Sequence, residues 1–155
     1  MLAAINVDAD GVLVDFERGF EMFYGAHPHS MSEPEMWKLI EANRDHWHDL
    51  PAMPGALMLW AKVAPYNARI ITGCPKTGFK AAAEGKRAWI AREMGVHVPI
   101  VTCLSRDKQL HMQSPGDILI DDMKKNIKRW EEAGGVGILH TSAEETIKKL
   151  VELGY

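Results

Sequence analysis

Five short apolar runs, separated by stretches of helical periodicity, constrain this chain more than any other feature. Residues 2–7, 68–73, 98–103, 117–121 and 136–140 each read as a strand buried on both faces, the mark of parallel pairing. Between them, residues 54–64, 79–94, 123–133 and 142–153 carry apolar side chains at helical spacing. Gly95 and Gly134 suit helix C-terminal caps, and Pro54 suits a first helical turn. Alternation of this kind predicts an α/β fold around a parallel sheet. A length of 155 residues fits a single domain, 1–155, with one sizeable core.

The alternation breaks between Glu17 and Leu50. That stretch has no β-branched run, is rich in Met, Trp, His and Glu, and is punctuated by Pro28 and Pro34. Two helices fit it, about 16–25 and 32–47, the second opened by a capping box of Ser32 and Glu35. An insertion of this length, 17–50, directly after the first strand's C-terminal end is placed to act as a small helical cap.

Ligands of open α/β sheets collect at the carboxyl ends of the strands, and four of the strands end in phosphate-handling residue types. The first runs into Asp8-Ala9-Asp10-Gly11, where the glycine lets the backbone turn away. Carboxylates side by side repel, so a cation between them is expected. The second ends in Thr72-Gly73, a hydroxyl and a flexible amide that can donate to phosphate oxygens. Ser105-Arg106-Asp107-Lys108 follows the third, and the fourth ends in Asp121-Asp122. Each fragment alone has a bland reading as loop polarity or helix-start carboxylates; their recurrence in order at strand ends does not.

That ordered set resembles the haloacid dehalogenase (HAD) superfamily of phosphohydrolases, and within it the 5'(3')-deoxyribonucleotidase family. The resemblance runs from Asp8 to Glu17, through Leu50 to Ala56, Ile71 to Lys76, Gly85 to Trp89 and Ser105 to Lys108, to Asp117–Asp122. It departs where the family has Thr-Ser and this chain has Thr72-Gly73, and in a shorter cap. The resemblance implies a Rossmann-like parallel sheet and a Mg²⁺-dependent phosphomonoesterase acting on nucleoside monophosphates, deoxyribonucleotides above all.

On that reading Asp8 attacks phosphorus and forms an aspartyl-phosphate. Asp10, the second aspartate that phosphatases have and dehalogenases lack, protonates the leaving oxygen and then activates water. Mg²⁺ is held by the Asp8 carboxylate, the Asp10 carbonyl and Asp122. Asp121 either joins it or orients water or Lys108. Lys108 pairs with Asp8 and the phosphate, with Thr72 and the Gly73 amide completing the cradle. For the organic part, the resemblance places an aromatic at Phe16, a lysine at Lys86 and an arginine at Arg106, and more loosely an aromatic at Trp47. Phe16 and Trp47 read equally well as core, and Lys86 as a solvated charge. Two other readings stay open: a phosphatase for another small ester such as a sugar phosphate, and a metal- and nucleotide-binding module with little turnover.

A net charge of −3 gives no basic field for polymeric nucleic acid. Neither a membrane-spanning run nor a signal peptide is evident, and the two cysteines, Cys74 and Cys103, match no zinc or redox spacing. A reduced, cytoplasmic protein, monomer or homodimer, is expected. His27, His29, His46 and His48 read as surface or cap histidines, since no third ligand stands at useful spacing. Trp60, Trp89 and Trp130 read as core.

Overall fold

The computed structural model describes residues 2–155. Five strands, β1 (Ile5–Val7), β2 (Ala68–Gly73), β3 (Ile100–Cys103), β4 (Ile118–Asp121) and β5 (Val136–Leu139), form one sheet in the order β3-β2-β1-β4-β5. Every pairing is parallel, with Val7 opposite Ile70 on one side and Ile120 on the other. Among the described residues six α-helices accompany them: α1 (Phe16–Tyr24), α2 (Glu33–Ala42), α3 (Ala56–Val63), α4 (Phe79–Glu93), α5 (Lys124–Glu132) and α6 (Ala143–Glu152).

Alternate residues of the strands serve opposite faces. Ile5, Val7, Ile70, Ile118 and Ile120 join the larger core, whereas Ile71, Leu119 and Trp130 form a smaller one. Trp89 and Trp130 are sealed inside, each donating its indole N–H to a backbone carbonyl at 2.7 Å, Leu50 and Asp117 respectively. Trp60 packs against the larger core, partly buried.

The chain builds β1, β2 and β3 to one side, then crosses over to lay down β4 and β5 on the other. The switch in direction falls between β1 and β4, which brings the residues after Val7 beside those after Ile120. Open parallel sheets bind ligands at such a point.

Element boundaries differ from the periodic pattern where local chemistry intervenes. β1 starts at Ile5, not Leu2, and α3 starts at Ala56 after Gly55 takes a left-handed conformation, φ 75°. The capping box at Ser32 is present, with Glu35 N–H donating to Ser32 Oγ at 3.3 Å and Ser32 N–H to Glu35 Oε2 at 3.0 Å. α2 nevertheless stops at Ala42, well short of Trp47. Asn43 leaves the helical region and its side-chain oxygen accepts from Asp45 N–H at 3.1 Å, a local turn that competes with the helix. 3-10 helices span Pro28–Ser30, a single turn, and, more consequentially, the longer Ser105–His111.

Candidate active site

A cavity of about 540 Å³ opens over the C-terminal ends of β1, β2 and β4. Asp8, Asp10, Gly73, Lys108 and Asp122 line it on the strand side; Phe16, Trp37, Trp47 and Met36 line it from the segment between β1 and β2.

Lys108 organises the floor. Its Nζ lies 2.7 Å from Asp8 Oδ1 and 2.7 Å from Asp121 Oδ2, with all three side chains buried. Burial works against the lysine's charge, but the two carboxylates outweigh it and raise its pKa. The Asp8 pKa is raised as well: desolvation pushes it well above the usual carboxylate range, and Lys108 only partly offsets this. Asp121 is fully committed to the protein. Its Oδ2 accepts from Lys108 and from Asn126 Nδ2 at 3.0 Å, and its Oδ1 from Met123 N–H at 2.8 Å.

Asp122 has no comparable set of partners. Removal of water by the surrounding protein, then the charge of Asp121, lifts its pKa to about 6. It fits against Gly11, which takes φ 81°; a Cβ there would lie 2.1 Å from Asp122 Oδ2. One carboxylate oxygen each from Asp8, Asp121 and Asp122 falls within a 4.8 Å cluster. Hard oxygen donors in this number suit a small divalent cation. Burial first, and the charge of neighbouring carboxylates after it, raises the pKa values of Asp8 and Asp122, and a bound cation would offset both. With Asp121 engaged by Lys108, Asn126 and a backbone amide, Asp8 and Asp122 are the carboxylates available to it.

Asp10 points to a second lysine. Lys86, on α4, is buried and directs Nζ at Asp10 Oδ2 (2.6 Å), the Gly73 carbonyl (2.6 Å) and Thr72 Oγ1 (3.2 Å). Its three ammonium protons thus each have an acceptor, and the charge also lies 4.6 Å from the centroid of the Trp47 ring. The Trp47 ring is stacked with Phe16 at 5.8 Å and 29°. Gly85 makes this approach possible, because a Cβ there would meet Trp47 Cβ at 2.7 Å.

The structure therefore gathers Asp8, Asp10, Gly73, Lys86, Lys108, Asp122, Phe16 and Trp47 around one cavity. Thr72 is fully buried and turned to Lys86, and does not reach the cavity wall. Arg106 is exposed, pairs loosely with Asp107 at 3.9 Å, and does not line the cavity. Trp37, His29, Ser105 and Asn126 line it although no role was read for them from the sequence. For Ser105 and Asn126 the available signal was a hydroxyl three residues before Lys108 and an amide one helical turn after the acidic pair. His46 departs most from expectation. It is not a surface group but fully buried, and desolvation lowers its pKa to about 4, so the ring is neutral. His27, His29 and His48 do lie toward the surface, pairing with Glu17 (both His27 and His29) and with Asp49.

Comparison with known proteins gives a consistent result. The profile of the family described as "5' nucleotidase, deoxy (Pyrimidine), cytosolic type C protein" matches residues 2–148. Two proteins named "Putative 5'(3')-deoxyribonucleotidase", from Bordetella bronchiseptica and Bordetella pertussis, are each 30% identical over 138 residues, covering 76% of this chain and 73% of their own length. Among solved structures, a hydrolase from Streptococcus pneumoniae TIGR4 superposes with a TM-score of 0.60 at 16% identity, covering 97% of this chain and 98% of that one. The L-2-haloacid dehalogenase of Xanthobacter autotrophicus with chloropropionic acid covalently bound gives 0.55 at 14% identity, covering 98% and 83%. At these identities the structural likeness establishes the shared fold.

Proposed function

The chain belongs to the deoxy (pyrimidine), cytosolic type C family of 5'-nucleotidases, within the HAD phosphohydrolases; from that footing we propose that it hydrolyses nucleoside monophosphates, deoxyribonucleotides first, using Mg²⁺ and an aspartyl-phosphate intermediate. The protein is a phosphoric monoester hydrolase with small phosphorylated substrates.

The observation that carries the finer reading is the shared cavity. Asp8, Asp10 and Lys108 lie on one wall of it and the Phe16–Trp47 stack on another, so a phosphate and a flat base can be held together. The names of the two Bordetella relatives favour the deoxyribonucleotide.

Asp8 is the nucleophile, and its buried carboxylate is oriented by Lys108 and by the Ala9 amide at 2.9 Å. Lys108 offsets the charge that would repel an incoming phosphate. Asp10 gives a proton to the departing sugar oxygen and takes one from the water of the second step, with Lys86 fixing its carboxylate. Asp8, Asp122 and the Asp10 carbonyl would hold the Mg²⁺, which supplies electrophilic stabilisation of the phosphate oxygens when bound. The 17–50 segment acts as the cap, and the gap it leaves above Asp8 admits the nucleoside.

No helix among the described residues is long and apolar enough to cross a membrane. The two cysteines are buried and unpaired, which accords with a reducing, cytoplasmic setting.

A phosphate-release assay with Mg²⁺ over matched 5'- and 3'-mononucleotides, ribose and deoxyribose, beside common sugar phosphates, tests the reading. Deoxymononucleotides should turn over fastest, with a phosphoenzyme that Asp8→Asn abolishes. Preference for the sugar phosphates would replace the nucleotide reading.

A further inference from the structure

Among the described residues only two buried side-chain polar atoms lack a hydrogen-bond partner: Asp10 Oδ1 and His46 Nε2. Their chemistry is complementary. Rings of Phe16, Phe20, Phe23, Tyr24 and Trp47 enclose His46, with centroids 4.7 to 6.4 Å from its own. Its Nδ1 lies 2.8 Å from the Tyr24 hydroxyl, and that hydroxyl oxygen in turn accepts from Asn43 Nδ2 at 3.4 Å. The Tyr24 proton is thereby free to be donated to Nδ1. A neutral imidazole that accepts at Nδ1 carries its own proton on Nε2. His46 is thus a buried N–H donor without an acceptor, and a buried donor left so loses its hydration without compensation.

Asp10 Oδ1 is the other unpartnered atom, and a chain of contacts links it to the His46 ring. The His46 ring stands edge-on to Trp47 at 4.7 Å and 88°, and the face of that indole carries Lys86 Nζ at 4.6 Å. The same ammonium holds Asp10 Oδ2 at 2.6 Å, leaving Oδ1 as the oxygen turned inward. Among charged groups, Asp10 acts on His46 more strongly than Lys86 does. Phe16, packed edge-on against His46 at 5.6 Å, also lines the cavity over Asp10.

We propose that His46 is a positioning residue for Asp10, its Nε2–H holding Asp10 Oδ1 through one bridging water while Lys86 holds Oδ2. A water that bridges a donor and an acceptor is enthalpically nearly as good as a direct bond. Both oxygens of Asp10 are then constrained, and the carboxyl is aimed at the leaving oxygen. This rests on the phosphatase reading above and adds a residue to it. The consequence depends on the leaving group. A sugar hydroxyl needs the proton Asp10 delivers, whereas a nitrophenolate departs without it.

The test compares His46→Phe, which keeps the aromatic volume, with His46→Gln, whose amide N–H can stand where Nε2–H stood. Release of nucleoside or nitrophenolate in the first turnover, before the phosphoenzyme is hydrolysed, is measured with Mg²⁺ on a 5'-deoxymononucleotide and on p-nitrophenyl phosphate. His46→Phe should lower that rate on the nucleotide about 10- to 100-fold, the scale of a misplaced catalytic group, with substrate affinity little changed. The rate of nitrophenolate release should fall far less, and His46→Gln should recover most of the rate on the nucleotide. Equal losses on the two esters in that first step, or a Gln variant as impaired as Phe, would overturn the proposal. The contact is also readable without turnover, by ¹⁵N NMR of the histidine rings. His46 should be protonated at Nε2, and Asp10→Asn should move that resonance; protonation at Nδ1 or an unmoved signal would overturn it. If the wild type hydrolyses no ester in the panel, the phosphatase reading fails while the NMR result still decides the contact.

Discussion

Lys86 ends 2.6 Å from Asp10, although the two stand 76 residues apart in the chain and the lysine sits on a helix with many exposed neighbours. The ammonium has no water to fall back on, being 4% exposed, and among the described residues Asp10 is the one anion it meets directly. Breaking a buried ion pair by deleting one partner is costly, because the other charge is left uncompensated. Lys86→Met keeps the stem and removes the charge. Its unfolding free energy in urea should fall by about 3 kcal/mol, and turnover should fall with it, since Asp10 loses its anchor. A variant as stable as the wild type would mean that Asp10 finds another partner.

Gly11 is held in place by Asp122. Any side chain at 11 meets the carboxylate head-on, with 2.1 Å from an added Cβ to Asp122 Oδ2, and the φ of 81° disfavours non-glycine residues in any case. Gly11→Ala must therefore displace Asp122 from the acidic cluster. Wild-type protein saturated with Mg²⁺ at about 100 times its dissociation constant gains about 2.7 kcal/mol. The alanine variant should lose most of that gain, seen as a Tm that no longer responds to the metal. Retention of the full metal-dependent shift would place the cation elsewhere.

Protons and cation should compete for the same carboxylates. Folding raises the pKa of Asp122 from 3.8 to about 6, through desolvation first and the charge of Asp121 second. Asp8 is raised as well, mainly by burial. Between about pH 4 and pH 6 the native state therefore binds more protons than the unfolded chain, and stability falls as pH rises across that window. The contribution is complete below the unfolded value and lost above the folded one. Other carboxylates titrate nearby, so the measurement is the difference between wild type and Asp122→Asn in metal-free urea melts; the variant should show a flatter profile. Mg²⁺ displaces the proton, so its apparent affinity should weaken about tenfold per pH unit below about pH 6. An affinity constant across that range would exclude Asp122 as a ligand.

The residues that were legible from sequence share one property: their position follows from the strand before them. Asp8, Asp10, Asp121 and Asp122 ride on apolar runs whose parallel pairing is readable, so their convergence at one sheet edge follows from topology. Lys108 and Arg106 separate for a reason the loop reading could not supply. In a 3-10 helix, residues three apart eclipse, so Ser105 and Lys108 share the face over the cavity and Arg106 falls on another. The burial of Lys86 depends on Gly85 and Trp47 meeting across the fold, which no periodicity in α4 encodes. His46 is more hidden still. It turns inward because Asn43 ends α2 early and the following turn folds over Phe16 and Phe20.

Phe16 stands between the proposed base-binding wall and the core. Its ring is stacked with Trp47 and tilted 34° against Phe20 at 6.2 Å, yet it remains only partly buried and faces the cavity. A fully structural phenylalanine would affect every substrate alike, through stability. A stacking surface affects only substrates that bring a ring, each base–aromatic contact being worth about 1–3 kcal/mol. Phe16→Leu keeps apolar volume and forfeits the flat face, so the low end of that range applies. KM for a deoxymononucleotide should rise about five- to tenfold, while KM for a sugar phosphate stays near its wild-type value. Parallel shifts in both constants would assign Phe16 to the core and leave the base to Trp37 and Trp47, whose rings lie 6.4 Å apart along the same wall.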